Sequence, residues 1–277
     1  MLFATVLALS SAGLHATWNL LVKTSGDREL AAWGQFLAGG LVFVPVLVVA
    51  GPPDTAAWPF IAASSVVHVV YVYALVAAYR HGDYSFAYPL ARGGGALVAA
   101  VLGAAVLARD DLSAGSWAAL VGVAIGLASL VRPGVARAEL GYALLTAVVI
   151  GCYTVIDSAG ARRTGDGFVY ACALVVATGV TLTVTGVARR RGVDFVGSLA
   201  GAWHRYVLTG VLLTAAYGLV LVAVRHAPVG YVATLRESSV VLGALLGWLV
   251  LGEALGRRRT ISSLVVAAGL AALVATG

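Results

Sequence analysis

Residues 80–92 read RHGDYSFAYPLAR, and residues 225–236 repeat the outline as RHAPVGYVATLR; each copy then runs on into a long stretch of small and apolar residues. Both copies thus carry an arginine, Arg92 and Arg236, inside a segment otherwise fit to cross hydrocarbon. A guanidinium at the centre of a bilayer costs at least about 2.5–3.5 kcal/mol, so it is kept where it faces protein or water and does a job there. A buried charge doubled at matching places in one chain points to a transporter built from two repeats.

The remainder of the 277 residues agrees. The chain is 61% hydrophobic and 11% charged, with mean hydropathy +0.96, too thin a charged coat to cover a soluble core. The net charge of +6 does not indicate a nucleic-acid partner, because Lys and Arg sit in short clusters between apolar segments, where they fix topology. Cys152 and Cys172 both fall in apolar segments, which suggests neither a disulfide framework nor a metal site. The first segment has no basic leader and contains His15, Trp18 and Asn19, so it reads as a mature helix and not as a cleaved signal.

The expected fold class is an all-α polytopic membrane protein. Ten spans are predicted, at about 2–22, 30–50, 58–79, 84–107, 114–131, 138–158, 167–188, 202–224, 229–251 and 260–276, each near the length that crosses about 30 Å of hydrocarbon. The halves 1–134 and 135–277 match best at their ends. Gly126-Leu127-Ala128-Ser129-Leu130-Val131 answers Gly269-Leu270-Ala271-Ala272-Leu273-Val274 at a spacing of 143, and Arg92 and Arg236 are 144 apart. Five spans per half is odd, so the second repeat must be inverted relative to the first. Loops after odd-numbered spans hold twelve Lys and Arg, and loops after even-numbered spans hold four. The positive-inside rule then puts both termini outside.

Several stretches together resemble the drug/metabolite transporter superfamily, in its ten-helix EamA-type branch. They are His15-Ala16-Thr17-Trp18-Asn19-Leu20-Leu21-Val22-Lys23, Tyr88-Pro89-Leu90-Ala91-Arg92-Gly93, and Leu235-Arg236-Glu237-Ser238-Ser239 through Leu251-Gly252-Glu253. The resemblance covers the chain as two tandem units. It implies a transporter in a bacterial cytoplasmic membrane, for a substrate class that spans amino acids, sugars, nucleotide sugars, amines and drugs. Flipping of lipid-linked metabolites is also an activity of the superfamily. One departure is Arg109-Asp110-Asp111, where the family pattern has a Gly-Glu pair such as Gly252-Glu253; that loop acid is therefore given no transport role.

Arg92 and Arg236 have two readings. Each fixes helix packing, or each captures an anionic substrate group, since a guanidinium fork suits carboxylate and phosphate geometry. Pro89 before Arg92 and Gly93-Gly94-Gly95 after it predict a helix that bends or opens there. Trp18, Tyr71, Tyr88, Tyr153 and Tyr217 lie within spans and, with Asn19, are candidates to line a cavity. Glu237 either pairs with Arg92 or Arg236 or takes a proton during transport. Asp157, near the end of its span and matching Asn19 of the first repeat, either reaches interfacial water or takes a proton. His15 and His68 have no metal-ligand spacing, and His15 reads as a satisfied neutral imidazole or as a proton relay.

The combined expectation is a secondary transporter of a small polar or zwitterionic metabolite, its cavity lined by spans 1, 3, 4, 6, 8 and 9, acting as monomer or homodimer with no cofactor. The alternatives are a lipid-linked-metabolite flippase and a multidrug or amine exporter. No ATP-binding motif and no enzyme signature of the Gly-x-Ser-x-Gly or His-Glu-x-x-His kind is present, so the chain reads as no enzyme.

Overall fold

In the computed structural model, the structure describes residues 1–81, 84–107, 112–128 and 136–239, with the isolated positions 241, 242, 249, 265, 268, 269, 272 and 275. Nine α-helices follow one another among them. They are α1 (Leu2–Lys23), α2 (Arg28–Ala50), α3 (Trp58–His81), α4 (Tyr84–Val106), α5 (Ala114–Ala128), α6 (Arg137–Ala161), α7 (Gly167–Ala188), α8 (Gly192–Ala223) and α9 (Val229–Arg236). Helices α1, α2, α3, α6, α7 and α8 are each long and apolar enough to cross a membrane, and the apolar parts of α4 and α5, Leu90–Val106 and Ala114–Gly126, are shorter. The expected tenth span, and the ninth beyond residue 239, lie outside the continuous described segments. So do Asp110, Asp111, Gly252 and Glu253.

Polar residues punctuate the apolar runs. Asp27 caps α2 by accepting from the Glu29 and Leu30 N–H groups, at 2.9 and 3.1 Å, and Asp166 caps α7 by accepting from Phe168 N–H at 2.7 Å. Both satisfy backbone donors that the first turn leaves open. Helix faces meet where side chains are small. A Cβ on Gly210 of α8 would stand 2.5 Å from the Gln35 carbonyl oxygen of α2, and one on Gly179 of α7 would stand 3.0 Å from the Phe36 carbonyl. α2 thus lies between α7 and α8, while α1 packs along α8, and α6 packs along both α3 and α4.

Loop contacts define two ends of the bundle. At one end Arg191, between α7 and α8, reaches Asp27 in the α1–α2 loop at 2.6 Å and Glu29 at 3.5 Å. At the other, Asp54 accepts from Gly165 N–H at 2.9 Å, Arg225 donates to the Gly165 carbonyl at 2.5 Å, and Arg162 Nε donates to the Val224 carbonyl at 2.8 Å. The first is the odd-loop end, the second the even-loop end.

Three expectations need correction. α8 starts at Gly192, ten residues before the expected start at 202; Arg205 lies inside it, with its guanidinium on the Leu21 carbonyl and Thr24 hydroxyl at the odd-loop end. α4 runs unbroken through Gly93-Gly94-Gly95. Gly94 and Gly95 serve close approach, since a Cβ on Gly95 would lie 2.5 Å from Ile150 and one on Gly94 2.9 Å from Ala147, both on α6. The discontinuity falls instead in the ninth span. α9 stops at Arg236, and Glu237 N–H bonds to the Thr234 carbonyl, three residues back, at 2.9 Å before residues 238–239 are helical again. An i→i−3 bond tightens the turn and ends the regular ladder.

Candidate functional site

A cavity of about 80 Å³ sits between α1, α2, α3, α6, α7, α8 and the end of α9, with room for several waters. Val22, Arg28 and Val76, near the odd-loop ends of their helices, form one end of its wall, and Arg28 is exposed to solvent. The inner end is aromatic. His68 and Tyr153 lie tilted face to face with ring centroids 4.2 Å apart, Tyr71 and Tyr153 meet edge-on at 5.5 Å, and Tyr217 stands 6.2 Å from both His68 and Tyr153. The Arg236 guanidinium lies 5.4 Å from the centre of the Tyr217 ring, within cation–π reach.

Polar atoms on this wall lack protein partners. His15 Nε2, Trp18 Nε1, Gln35 Oε1 and Arg236 Nε are buried with no hydrogen-bond partner among the described residues. Buried polar atoms are ordinarily paired, so the donors and the acceptor on this wall are available to water or to an incoming molecule. His15 packs edge-on against Trp18 at 4.8 Å, and Asn19 donates to the His15 carbonyl at 2.9 Å. His68 Nδ1 is 2.9 Å from the Ser64 carbonyl; a carbonyl only accepts, which puts the ring hydrogen on Nδ1.

Of the residues singled out in the sequence, Arg236, Trp18, Tyr217, Asn19, Tyr71, Tyr153 and His15 stand together on this wall. Arg92, Glu237 and Asp157 do not, and the Tyr88 side chain lies outside the described residues. Among the described residues α4 contributes none to the wall, whereas α2 and α7, absent from the sequence expectation, do. Arg92 Nη2 is 3.0 Å from Glu237 Oε1, with the two side chains 4% and 3% exposed. Glu237 therefore pairs with the distant arginine and not with its neighbour Arg236. The sequence did carry a signal for this, because consecutive helical residues do not face each other. Asp157 does not reach interfacial water: it is fully buried and accepts from Tyr170 at 3.1 Å and Tyr217 at 2.5 Å. Reasoning from sequence missed Gln35, Phe36 and Arg28. Gln35, a lone amide in the middle of apolar α2, was the available clue.

Helices of membrane-crossing length thus surround a polar cavity, the architecture of a polytopic membrane protein. Residues 138–275 match the EamA-like transporter family. Through this domain the chain belongs to that family, and it is a multi-pass membrane transporter, not an enzyme. A solved structure, described only as the crystal structure of a protein, has the same fold over 98% of this chain and 96% of its own, with TM-score 0.74 at 20% identity. No curated protein matches the chain.

Proposed function

We propose that the chain is a secondary or facilitative transporter of a small polar or zwitterionic metabolite bearing a carboxylate or phosphonate, and that it works by alternating access. The observation that carries this is the inequality of the arginines. Arg92 is neutralised by Glu237 at 3.0 Å, whereas Arg236 stands on the cavity wall with its Nε unpartnered among the described residues. Arg28, the other arginine on the wall, stands exposed at the odd-loop end, so among the described residues the buried aromatic end of the cavity presents one guanidinium, Arg236, and an anionic group is its natural complement. Trp18, Tyr71, Tyr153 and Tyr217 take the rest of the molecule, with His15 and Asn19 within the same wall.

Two inverted five-helix repeats, 1–134 and 135–277, form one ten-span transmembrane domain in this reading. The packing supports it. Exchanging each helix with the one five places away turns α1–α8 contact into α6–α3, α2–α8 into α7–α3, and α4–α6 into α9–α1, while α2–α7 and α4–α9 map onto themselves. All of these pairs are packed. The cavity reaches exposed Arg28 at the odd-loop end, where Lys and Arg concentrate; by the positive-inside rule that end is cytoplasmic and both termini lie outside.

A thermal-shift series on the full chain in detergent tests the reading with amino acids, phosphonates, sugars and quaternary amines. An anionic or zwitterionic compound at 100 times its dissociation constant stabilises by about 2.7 kcal/mol, and Arg236→Gln abolishes that gain. Stabilisation by a sugar or a quaternary amine alone, unchanged in Arg236→Gln, overturns the anion reading.

A further inference from the structure

We propose that Asp157 is a proton-binding site set beneath the floor of the cavity, and that its proton controls whether Tyr217 is held in that floor. The proposal rests on the alternating-access reading for its meaning, though not for its test.

Position comes first. Ser64 of α3, Asp157 of α6 and Tyr170 of α7 each stand one helical turn beyond the innermost wall residue of their helices, which are His68, Tyr153 and Leu174. The direction is away from Arg28 and toward the even-loop end, where the loops are tied to one another. The Asp157 carboxyl joins four helices at this level: Oδ1 accepts from Tyr170, Oδ2 accepts from the wall residue Tyr217, and the Ser64 hydroxyl of α3 is a further partner. Ser64, Asp157 and Tyr170 are all fully buried.

Charge comes second. Asp157 has no cation within ion-pair distance among the described residues, and every partner it has is a neutral hydroxyl. The titratable groups around it are Tyr170 from α7, Tyr217 from α8, His68 from α3 beyond Ser64, and Tyr153 one turn back on α6. Arg236 at the end of α9, Glu237 just beyond it and Arg92 of α4 act electrostatically on Tyr153, and of these Glu237 is held by Arg92. At the even-loop end of α6, Arg162 and Arg163 bond to the Val224 and Ala159 carbonyls. A carboxylate buried without a cation is held only by hydrogen bonds, so the group is neutralised by taking a proton more readily than one fixed in an ion pair. Glu237 is such a fixed group; Asp157 is not.

The step is a simple proton addition. An O–H bond forms at Asp157 Oδ2, the carboxylate becomes a neutral acid, and the Tyr217 hydroxyl gives up its bond to that oxygen. No other bond changes. Protonation thereby unties α8 from α6 directly under the cavity, and release of the proton ties them again.

Infrared difference spectroscopy on the purified full chain across a pH series reads this without any substrate. Among the carboxylic-acid C=O bands that acidification brings up, one is expected to be absent in Asp157→Asn and retained in the Arg92→Met/Glu237→Gln double variant. In Tyr170→Phe, which keeps the carboxyl should Asp157→Asn fail to fold, the band moves to higher frequency, as a C=O released from a hydrogen bond does, because Tyr170 donates to Oδ1; in Tyr217→Phe it keeps its frequency, because Tyr217 has already left the protonated acid. A band that survives Asp157→Asn, disappears with Glu237, keeps its frequency in Tyr170→Phe, or moves in Tyr217→Phe overturns the proposal. A failed transport assay alone leaves the proton site standing and counts against the transporter reading instead.

Discussion

The Arg92–Glu237 pair makes the sharpest energetic prediction, because a third charge stands beside it. At 3.0 Å and an effective dielectric of about 20, the attraction is on the order of 5–6 kcal/mol, offset in large part by the desolvation of both ions. Removing one partner exposes the uncompensated penalty of the other, about 3–5 kcal/mol. The two single variants are not equivalent here. Glu237→Gln leaves Arg92 and Arg236 as interacting like charges in the same interior, whereas Arg92→Met leaves Glu237 still within the field of Arg236. Glu237→Gln is therefore the more destabilising. The double variant recovers part of the loss, with a coupling energy of about 0.5–3 kcal/mol. Thermal unfolding of the four proteins in one detergent measures the cycle; for a chain of this size each kcal/mol moves Tm by roughly 2–4 °C. Additive single effects, or Arg92→Met falling below Glu237→Gln, would refute the assignment of Glu237 to Arg92.

Three further outcomes follow from particular contacts. Gly210→Val should destabilise by more than about 3 kcal/mol, because the new Cβ already meets the Gln35 carbonyl oxygen at 2.5 Å and Gly39 N at 2.6 Å, beyond ordinary overpacking; Gly141→Ala, with nothing within 4 Å, should be neutral in the same melt. Partial burial would raise the Asp27 carboxyl, but the Leu30 N–H and the Arg191 guanidinium outweigh it and hold it below its ordinary 3.8. A depressed carboxylate adds stability that is fully present above the unfolded value and lost as pH falls through the folded one. Acid titration of stability should accordingly show a slope below about pH 4 that Asp27→Asn flattens, the asparagine keeping the cap and losing only an exposed pair. Trp33 stacks on Phe195 at 4.0 Å and donates from Nε1 to the Thr183 hydroxyl at 2.9 Å; Trp33→Phe should cost about 1 kcal/mol and Trp33→Ala about 3–5 kcal/mol in the same unfolding assay.

Most helix ends were legible because hydrocarbon length and polar punctuation act locally. Asp27, Gly51-Pro52-Pro53 and Asp166 each close or open a span within a few residues of where it was read. The start of α8 was not legible. Trp203, His204 and Arg205 look like the edge of a span, yet the helix begins at Gly192, laying Phe195 between Trp33 and Tyr206. That packing partner is 162 residues away, and no local pattern contains it. The glycine run misled for the same reason: glycine signals either a bend or a neighbour, and Ala147 and Ile150 on α6 decide for the neighbour. The cavity was legible in kind, since aromatic and amide groups within spans cost too much to be idle there. Its assembly from α2 and α7 was not, because apolar helices carry no moment to say which face looks inward.

On the proposed two-repeat reading, the divergence of the two halves explains how the chain makes an unequal site. Arg92 is followed by glycine and Arg236 by Glu237, so the centre holds two guanidinia and one carboxylate. Because successive residues on a helix point apart, the carboxylate crosses to the other half and pairs with Arg92. The same residue marks the break in the ninth span, where Glu237 leaves the regular ladder. Neutralising Arg92 and ending α9 are thus two effects of one position, and together they leave Arg236 at a helix end facing the cavity. Under that proposed relation, Asn19 and Asp157 diverge in the same sense. Asn19 bonds to its own helix at the His15 carbonyl and stays on the wall, while Asp157 lies a turn below and ties α6 to α7 and α8. On that reading an acidic residue gained in the second half at each place, Glu237 beside Arg236 and Asp157 opposite Asn19, pairs Arg92 and ties α6 to α7 and α8 beneath the cavity, with Arg236 left as the buried arginine on its wall.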